Sequence, residues 1–200
     1  MFTEMSKRKY TLRRRAEQQQ QTRERIVQAT AELHEELGPR NTTVSAIAER
    51  AGVQRLTVYR HFPDDETLFA ACTSHWLAGH PPPDPADWQA ITDPADRTRR
   101  ALGALYAYYR RTARMWFVSY RDVHDVAALH GPMGEFEAYL DSVRDDLAAA
   151  WGQHHRNERL TATLGLAVGF HAWRLLDQQG MDDAQMAELV IDWIRCINNP

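Results

Sequence analysis

One stretch restricts the fold more than any other: Thr43 to Phe62, TVSAIAERAGVQRLTVYRHF. Thr43 can cap a short helix over Val44–Ala51, with Val44, Ile47 and Ala48 on its inner face. Gly52 breaks that helix and can take the positive φ of a tight turn. A second short helix follows and ends at Phe62-Pro63. Two short helices joined steeply through glycine form a helix-turn-helix. Ala48 is small where the helices must cross, and Ile47, Val53, Val58 and Phe62 supply the contacts that lock the angle. That assignment leaves Arg55, Leu56, Thr57, Tyr59, Arg60 and His61 facing outward.

The outward set is chemically suited to a DNA groove. Arg can grip guanine with two hydrogen bonds and the Thr methyl can meet the thymine methyl. Tyr and His can reach phosphate oxygens. A polar surface helix would explain the charges but not an outward Leu56 and Tyr59. The charge distribution points the same way. Residues 1–62 hold twelve Lys/Arg and seven Asp/Glu, a balance of +5, and the remaining 138 residues hold twelve against twenty, a balance of −8. A basic first third on an acidic body directs the front end at a polyanion.

Elsewhere the pattern is helical. Residues 1–21 combine basic clusters with AEQQQQT and read as a loose arm or frayed helical extension. From Thr22, Ile26, Ala29, Leu33 and Leu37 form one apolar stripe that Gly38-Pro39 stops. Asp64 is a good N-cap for a helix carrying Leu68, Phe69, Cys72, Trp76 and Leu77 inward, with Asp65 and Glu66 in its first turn. The proline-rich Gly79–Pro94 reads as a loop. Helices are expected near 96–112, 113–129, 134–152, 157–178 and 182–197. No segment alternates with period two, so the expectation is an all-α chain of about nine helices.

TTVSAIAERAGVQRLTVYRHFPDDETLF resembles the DNA-binding signature of the TetR/AcrR family of bacterial transcriptional regulators. The likeness is strong over residues 22–69. It implies a flexible basic arm (1–21), a helix-turn-helix domain (22–68) and an effector-binding and dimerisation domain (69–200). It implies a homodimeric, ligand-responsive repressor on a near-palindromic DNA operator, with an activator of the same fold as the alternative. The cytoplasm is the location expected from the lack of a membrane span or secretory signal and from two cysteines far apart. By position it implies that Thr43 and Ser45 touch the backbone or nearby bases and that Arg55, Leu56, Thr57, Tyr59, Arg60 and His61 read DNA. Two residues depart from the pattern. Gln54 replaces the usual capping Ser before the recognition helix, and Asp65 replaces a Lys that meets phosphate, so Asp65 is assigned no DNA contact. Arg13, Arg14 and Arg15 in the arm are the expected compensation.

The body carries two further expectations. Ala162, Gly165, Gly169 and Ala172 share one helical face, and Met186, Leu189, Val190, Trp193, Ile194 and Ile197 form a stripe on the last helix; both suit self-association. Tyr106, Tyr109, Trp116, Phe117 and Tyr120, with Phe170 and Trp173, are candidates to line a pocket for a lipophilic or aromatic effector, although aromatics at helical spacing are more often plain core. No cofactor, metal site or catalytic residue is expected. His124, Asp125 and His130, and His154-His155, lack ligand spacing, and Cys72 and Cys196 are far apart. A small helical enzyme or a protein-interaction module are the rival readings. No apolar run is long enough to span a membrane, and the basic start lacks the apolar segment of a secretory signal.

Overall fold

The computed structural model describes residues 2–152 and 158–198, and every regular element among them is a helix. The chain divides into two compact units: Met1–Gly79 with Phe117–His130, and His80–Trp116 with Gly131–Pro200.

The first unit is built on α1 (Phe2–Leu37), α2 (Val44–Ala51), α3 (Arg55–His61) and α4 (Asp65–Gly79). Most of its core falls at positions the hydrophobic periodicity predicts. Ile26, Val27, Ala29 and Leu33 of α1 pack with Ile47, Ala48 and Ala51 of α2, Val58 of α3, Phe62 and Leu68. Each fully buried aliphatic or Phe side chain of this kind contributes about 1.5–3 kcal/mol. Leu37, expected on the stripe, is exposed at the last residue of the helix. The stretch expected as a loose arm or frayed helical extension continues α1 as helix from Phe2. Arg50 ties α2 to α1 by pairing both guanidinium ends with Glu36, at 2.8 and 2.9 Å, and by a longer contact to Glu32.

The second unit contains α5 (Ala86–Gln89), most of α6 (Pro94–Asp122), most of α7 (His130–Ala150), α8 (Glu158–Val168), α9 (Phe170–Gln178) and α10 (Asp183–Asn198). The described residues therefore hold ten α-helices, in line with the expected count of about nine, but four details differ from expectation. The segments expected at 96–112 and 113–129 join without a break in α6, because no glycine or proline stands where they meet, but the helix ends at Asp122 and a short 3-10 turn follows at Ala127–Leu129. Gly131-Pro132, expected as a separator, lies within the first turn of α7, where a proline's missing N–H costs nothing. The proline-rich loop contains α5, whose Trp88 is buried and donates its indole N–H to Asp146 at 3.2 Å.

The fourth difference has a chemical cause. The helix expected over 157–178 breaks at Gly169, which is extended at φ −77° and ψ 137°. Across that break the carbonyls of Ala167 and Val168 leave the regular ladder. Two buried phenols of α6 donate to them instead, Tyr106 to Ala167 O at 3.0 Å and Tyr109 to Val168 O at 2.6 Å. Buried Tyr hydroxyls and unladdered carbonyls satisfy each other, so the break leaves these groups paired.

Candidate nucleic-acid interface

The turn between α2 and α3 is set by backbone geometry. Gly52 has φ 64° and ψ 42°, its N–H donates to Glu49 O at 3.1 Å, and Val53 N–H donates to Ala48 O at 2.9 Å. This double closure is a Schellman ending, and it needs a residue that accepts the left-handed region. Thr43 caps α2 by accepting from Ala46 N at 3.2 Å. Gln54 precedes α3 with no side-chain cap, as its chemistry suggests; the backbone closes the turn through Thr57 N–H to Gln54 O at 2.8 Å.

With Val58 and Phe62 held in the core, α3 turns its other residues out. Arg55, Leu56, Tyr59 and Arg60 are exposed, and Thr57 and His61 are half-buried. Leu56 is 75% exposed and Tyr59 45%, on a helix whose opposite face is tightly packed. Thr43 and Ser45 are exposed at the start of α2. The hydroxyl oxygen of Thr43 already serves the cap, which leaves its hydrogen to donate. His61 is held below its ordinary pKa by partial burial and by the cations Arg60 and Arg23. The Arg23 guanidinium lies 4.6 Å from the centre of the Phe62 ring and covers the end of α3.

Asp64 caps α4 by accepting from Thr67 N–H at 2.7 Å, and Asp65 and Glu66 stand exposed in its first turn. Those carboxylates favour the helix dipole and oppose a nearby phosphate.

Sequence reasoning missed a second arrangement in this unit. Gly38, at φ 88°, lies against Arg121 and Asp122 at the end of α6. Asp122 is almost wholly buried, accepts from Arg40 N–H at 3.1 Å and pairs with Arg121 at 2.6 Å, while Arg121 also donates to Leu37 O at 3.0 Å. The Arg121 guanidinium and the Arg40 N–H hold the Asp122 carboxyl below its usual range, against the opposing effect of burial. The sequence signal was Gly38 itself, read as a helix stop only.

The aromatic candidates separate. Tyr106, Tyr109, Trp116, Phe170 and Trp173 lie in the second unit, buried. Tyr109 meets Phe170 at 5.4 Å and Trp173 at 5.6 Å between ring centres, and Trp116 stacks on Phe136 at 3.8 Å. Phe117 and Tyr120 belong to the first unit, each at least partly exposed. The Trp173 indole N–H is buried with no hydrogen-bond partner among the described residues, and the Arg110 guanidinium lies 5.7 Å from its ring centre. Of the exposed apolar side chains in this unit, Leu166, Leu175 and Trp193 stand on α8, α9 and α10. No group of three or more metal-ligating side chains occurs among the described residues; His154 and His155 lie outside them. No helix among the described residues is long and apolar enough to cross a membrane.

Helices α2 and α3, crossing at a glycine turn with one face packed and the other presented, define a helix-turn-helix module of the kind that enters a DNA major groove. Residues 26–72 match the family model for bacterial regulatory proteins of the tetR family. That match covers the first helices of the chain, and the fold is the one seen in solved TetR-like regulators. Among solved structures it resembles a TetR-like transcriptional regulator from Rhodococcus sp. RHA1, at 16% identity and TM-score 0.62, covering 90% of this chain and 97% of that one. A second transcriptional regulator from Rhodococcus sp. Rha1 is 19% identical with TM-score 0.58, covering 88% and 95%. The multidrug binding protein EbrR, complexed with imidazole, is 18% identical with TM-score 0.56, covering 86% and 88%. No curated protein matches the sequence.

Proposed function

We propose that the protein is a homodimeric, effector-responsive repressor that reads a near-palindromic operator through α3. The observation that carries this reading is the presented face of that helix: Arg55, Leu56, Tyr59 and Arg60 are exposed together while Val58 and Phe62 anchor the other side. Arg55 would read a base edge, Leu56 and Thr57 would meet thymine methyls, and Tyr59, Arg60 and His61 would hold phosphates. Thr43 and Ser45 would fix the start of α2 on the backbone. Arg13, Arg14 and Arg15 are exposed on the extended α1, and their charge would offset the repulsion from Asp65.

Self-association rests on α8, α9 and α10. Leu166 is 65% exposed, Leu175 60% and Trp193 44%, and burial against a second copy would remove that apolar surface from water. For the effector, EbrR offers the analogy of a multidrug binding protein with this fold. Among Tyr106, Tyr109, Trp116, Phe117, Tyr120, Phe170 and Trp173, the best-supported contact is Trp173. Its buried, unpartnered N–H is a ready donor beside flat apolar rings. An effector that prefers one arrangement of the body would shift the population of heads able to span both half-sites, with α4 as the transmitting element.

The test is fluorescence anisotropy with duplexes tiled across the DNA upstream of the protein's own gene, at fixed salt. Saturable binding to one segment, well above binding to scrambled DNA of the same length, supports the proposal. Equal affinity for both contradicts it.

A further inference from the structure

We propose that a cleft within the first unit binds a small organic cation with a flat apolar body and a hydrogen-bonding group at its far end. This does not rest on the DNA-binding reading. The cleft, of about 630 Å³, lies between the end of α1, the start of α2, the start of α4 and the segment 125–128. That volume is in the range of small-molecule sites.

Burial orders its lining. At the inner end is His34, only 5% exposed, whose ring lies tilted against Phe69 with 4.6 Å between ring centres. One ring nitrogen, Nδ1, is 3.5 Å from Cys72 Sγ, and Nε2 has no hydrogen-bond partner among the described residues. His34 lines the cleft, and a ring nitrogen that makes no bond among the described residues is free to take one from a ligand there. Val44, Ile47, Leu68 and Phe69 supply apolar surface. At the mouth stand Asp65 and Glu66, both exposed and neither ion-paired among the described residues. Arg40 is the one lining cation among the described residues, and it is held by Asp125 at 2.7 Å. Three carboxylates against one guanidinium leave the lining at −2.

A ligand that fits all three zones carries an ammonium to meet Asp65 and Glu66, an aromatic body to lie against Phe69, and a hydroxyl to pair with His34 Nε2. The neutral imidazole, either tautomer, can donate to or accept from a hydroxyl. An anion of the same shape meets the wrong charge at the mouth.

The full-length protein is titrated with tyramine and, separately, with 3-(4-hydroxyphenyl)propanoate, which keeps the ring and hydroxyl and reverses the charge. Histidine ring signals are followed by NMR, with His34 identified through His34→Gln. The expected result is a saturable shift of the His34 signals by tyramine, with the propanoate at least about tenfold weaker. The double substitution Asp65→Asn and Glu66→Gln lies on an exposed helix turn and leaves the core intact. It should weaken tyramine by a similar factor and erase the preference over the propanoate. Ala128→Trp, checked for an unchanged melting curve, should abolish binding by filling the cleft. The proposal is overturned if the two probes bind equally to the unmodified protein, if tyramine leaves the His34 signals unmoved, or if no saturable binding occurs.

Discussion

Replacing Gly38 with alanine should cost far more stability than the same change at Gly52, although both have positive φ. At Gly52 the backbone is in the left-handed region, and the nearest atom to an added Cβ is Arg25 Nη1 at 3.9 Å, an open environment. The expected penalty there is conformational alone, roughly 1–2 kcal/mol. Gly38 lies at φ 88° and ψ 154°, a region that essentially only glycine occupies, and a side chain there costs about 1–3 kcal/mol. A Cβ would also collide with the Arg121 guanidinium and the Asp122 carboxylate. Arg121 is partly exposed and can swing away, but Asp122 is fixed by burial and by Arg40 N–H. Loosening the partners of a buried carboxylate costs up to about 3–5 kcal/mol when complete. A partial loosening added to the backbone cost gives roughly 3–5 kcal/mol in all. Native-state hydrogen exchange at the amides of Ile26 and Val58 reads the stability of this unit directly. A Gly38→Ala effect within about 1 kcal/mol of Gly52→Ala would refute the reasoning.

Four further outcomes follow from the same geometry. Burial lowers the His34 pKa to about 4 from its ordinary 6.5, so the unfolded chain takes up a proton that the folded state resists. Its stability contribution is full above about pH 6.5 and declines as pH falls toward 4, by at most about 3 kcal/mol; denaturant melts at several pH values should show a shallower acid decline in His34→Phe. Arg55→Ala should lower operator affinity by roughly 1–3 kcal/mol and relax preference at one base pair in a competition assay; an equal effect on random DNA removes its base-reading role. Deleting residues 1–21 should weaken all sequences alike and lower the log–log salt slope by about 0.9 for each phosphate the arm neutralises; an unchanged slope would place the arm off the DNA. Leu166→Glu with Trp193→Glu should shift the protein to monomer in sedimentation velocity, and a monomeric unmodified protein would remove the dimer proposal.

The helix-turn-helix was legible because its determinants are local. Thr43, Ile47, Gly52, Val58 and Phe62 each encode a cap, a turn or a buried contact within one or two helical turns, and the structure places each in that role. The uncapped Gln54 and the cap at Asp64 were equally readable. What escaped depends on residues far apart in the chain. Gly38 looked like a simple helix stop, yet its closest neighbours are Arg121 and Asp122. The break at Gly169 is supported by Tyr106 and Tyr109, about 60 positions away, which no periodicity argument reaches. Trp88 was invisible in a proline-rich stretch because its anchor is Asp146. The aromatic run of α6 suggested a pocket, but spacing along one helix does not say which rings will find a hydroxyl acceptor and which will keep an unpaired N–H, as Trp173 does.

Methylation protection of guanine N7 by the full-length protein on its bound upstream segment, repeated with Tyr59→Ala and Arg55→Ala, tests the role of α3 most directly. Two symmetric sets of protected guanines about one helical turn apart, with the protection at one base pair per half-site abolished in Arg55→Ala, is the pattern expected of two copies reading through this helix. Protection that persists unchanged in Arg55→Ala, or a bound segment with no protected guanine, would contradict it.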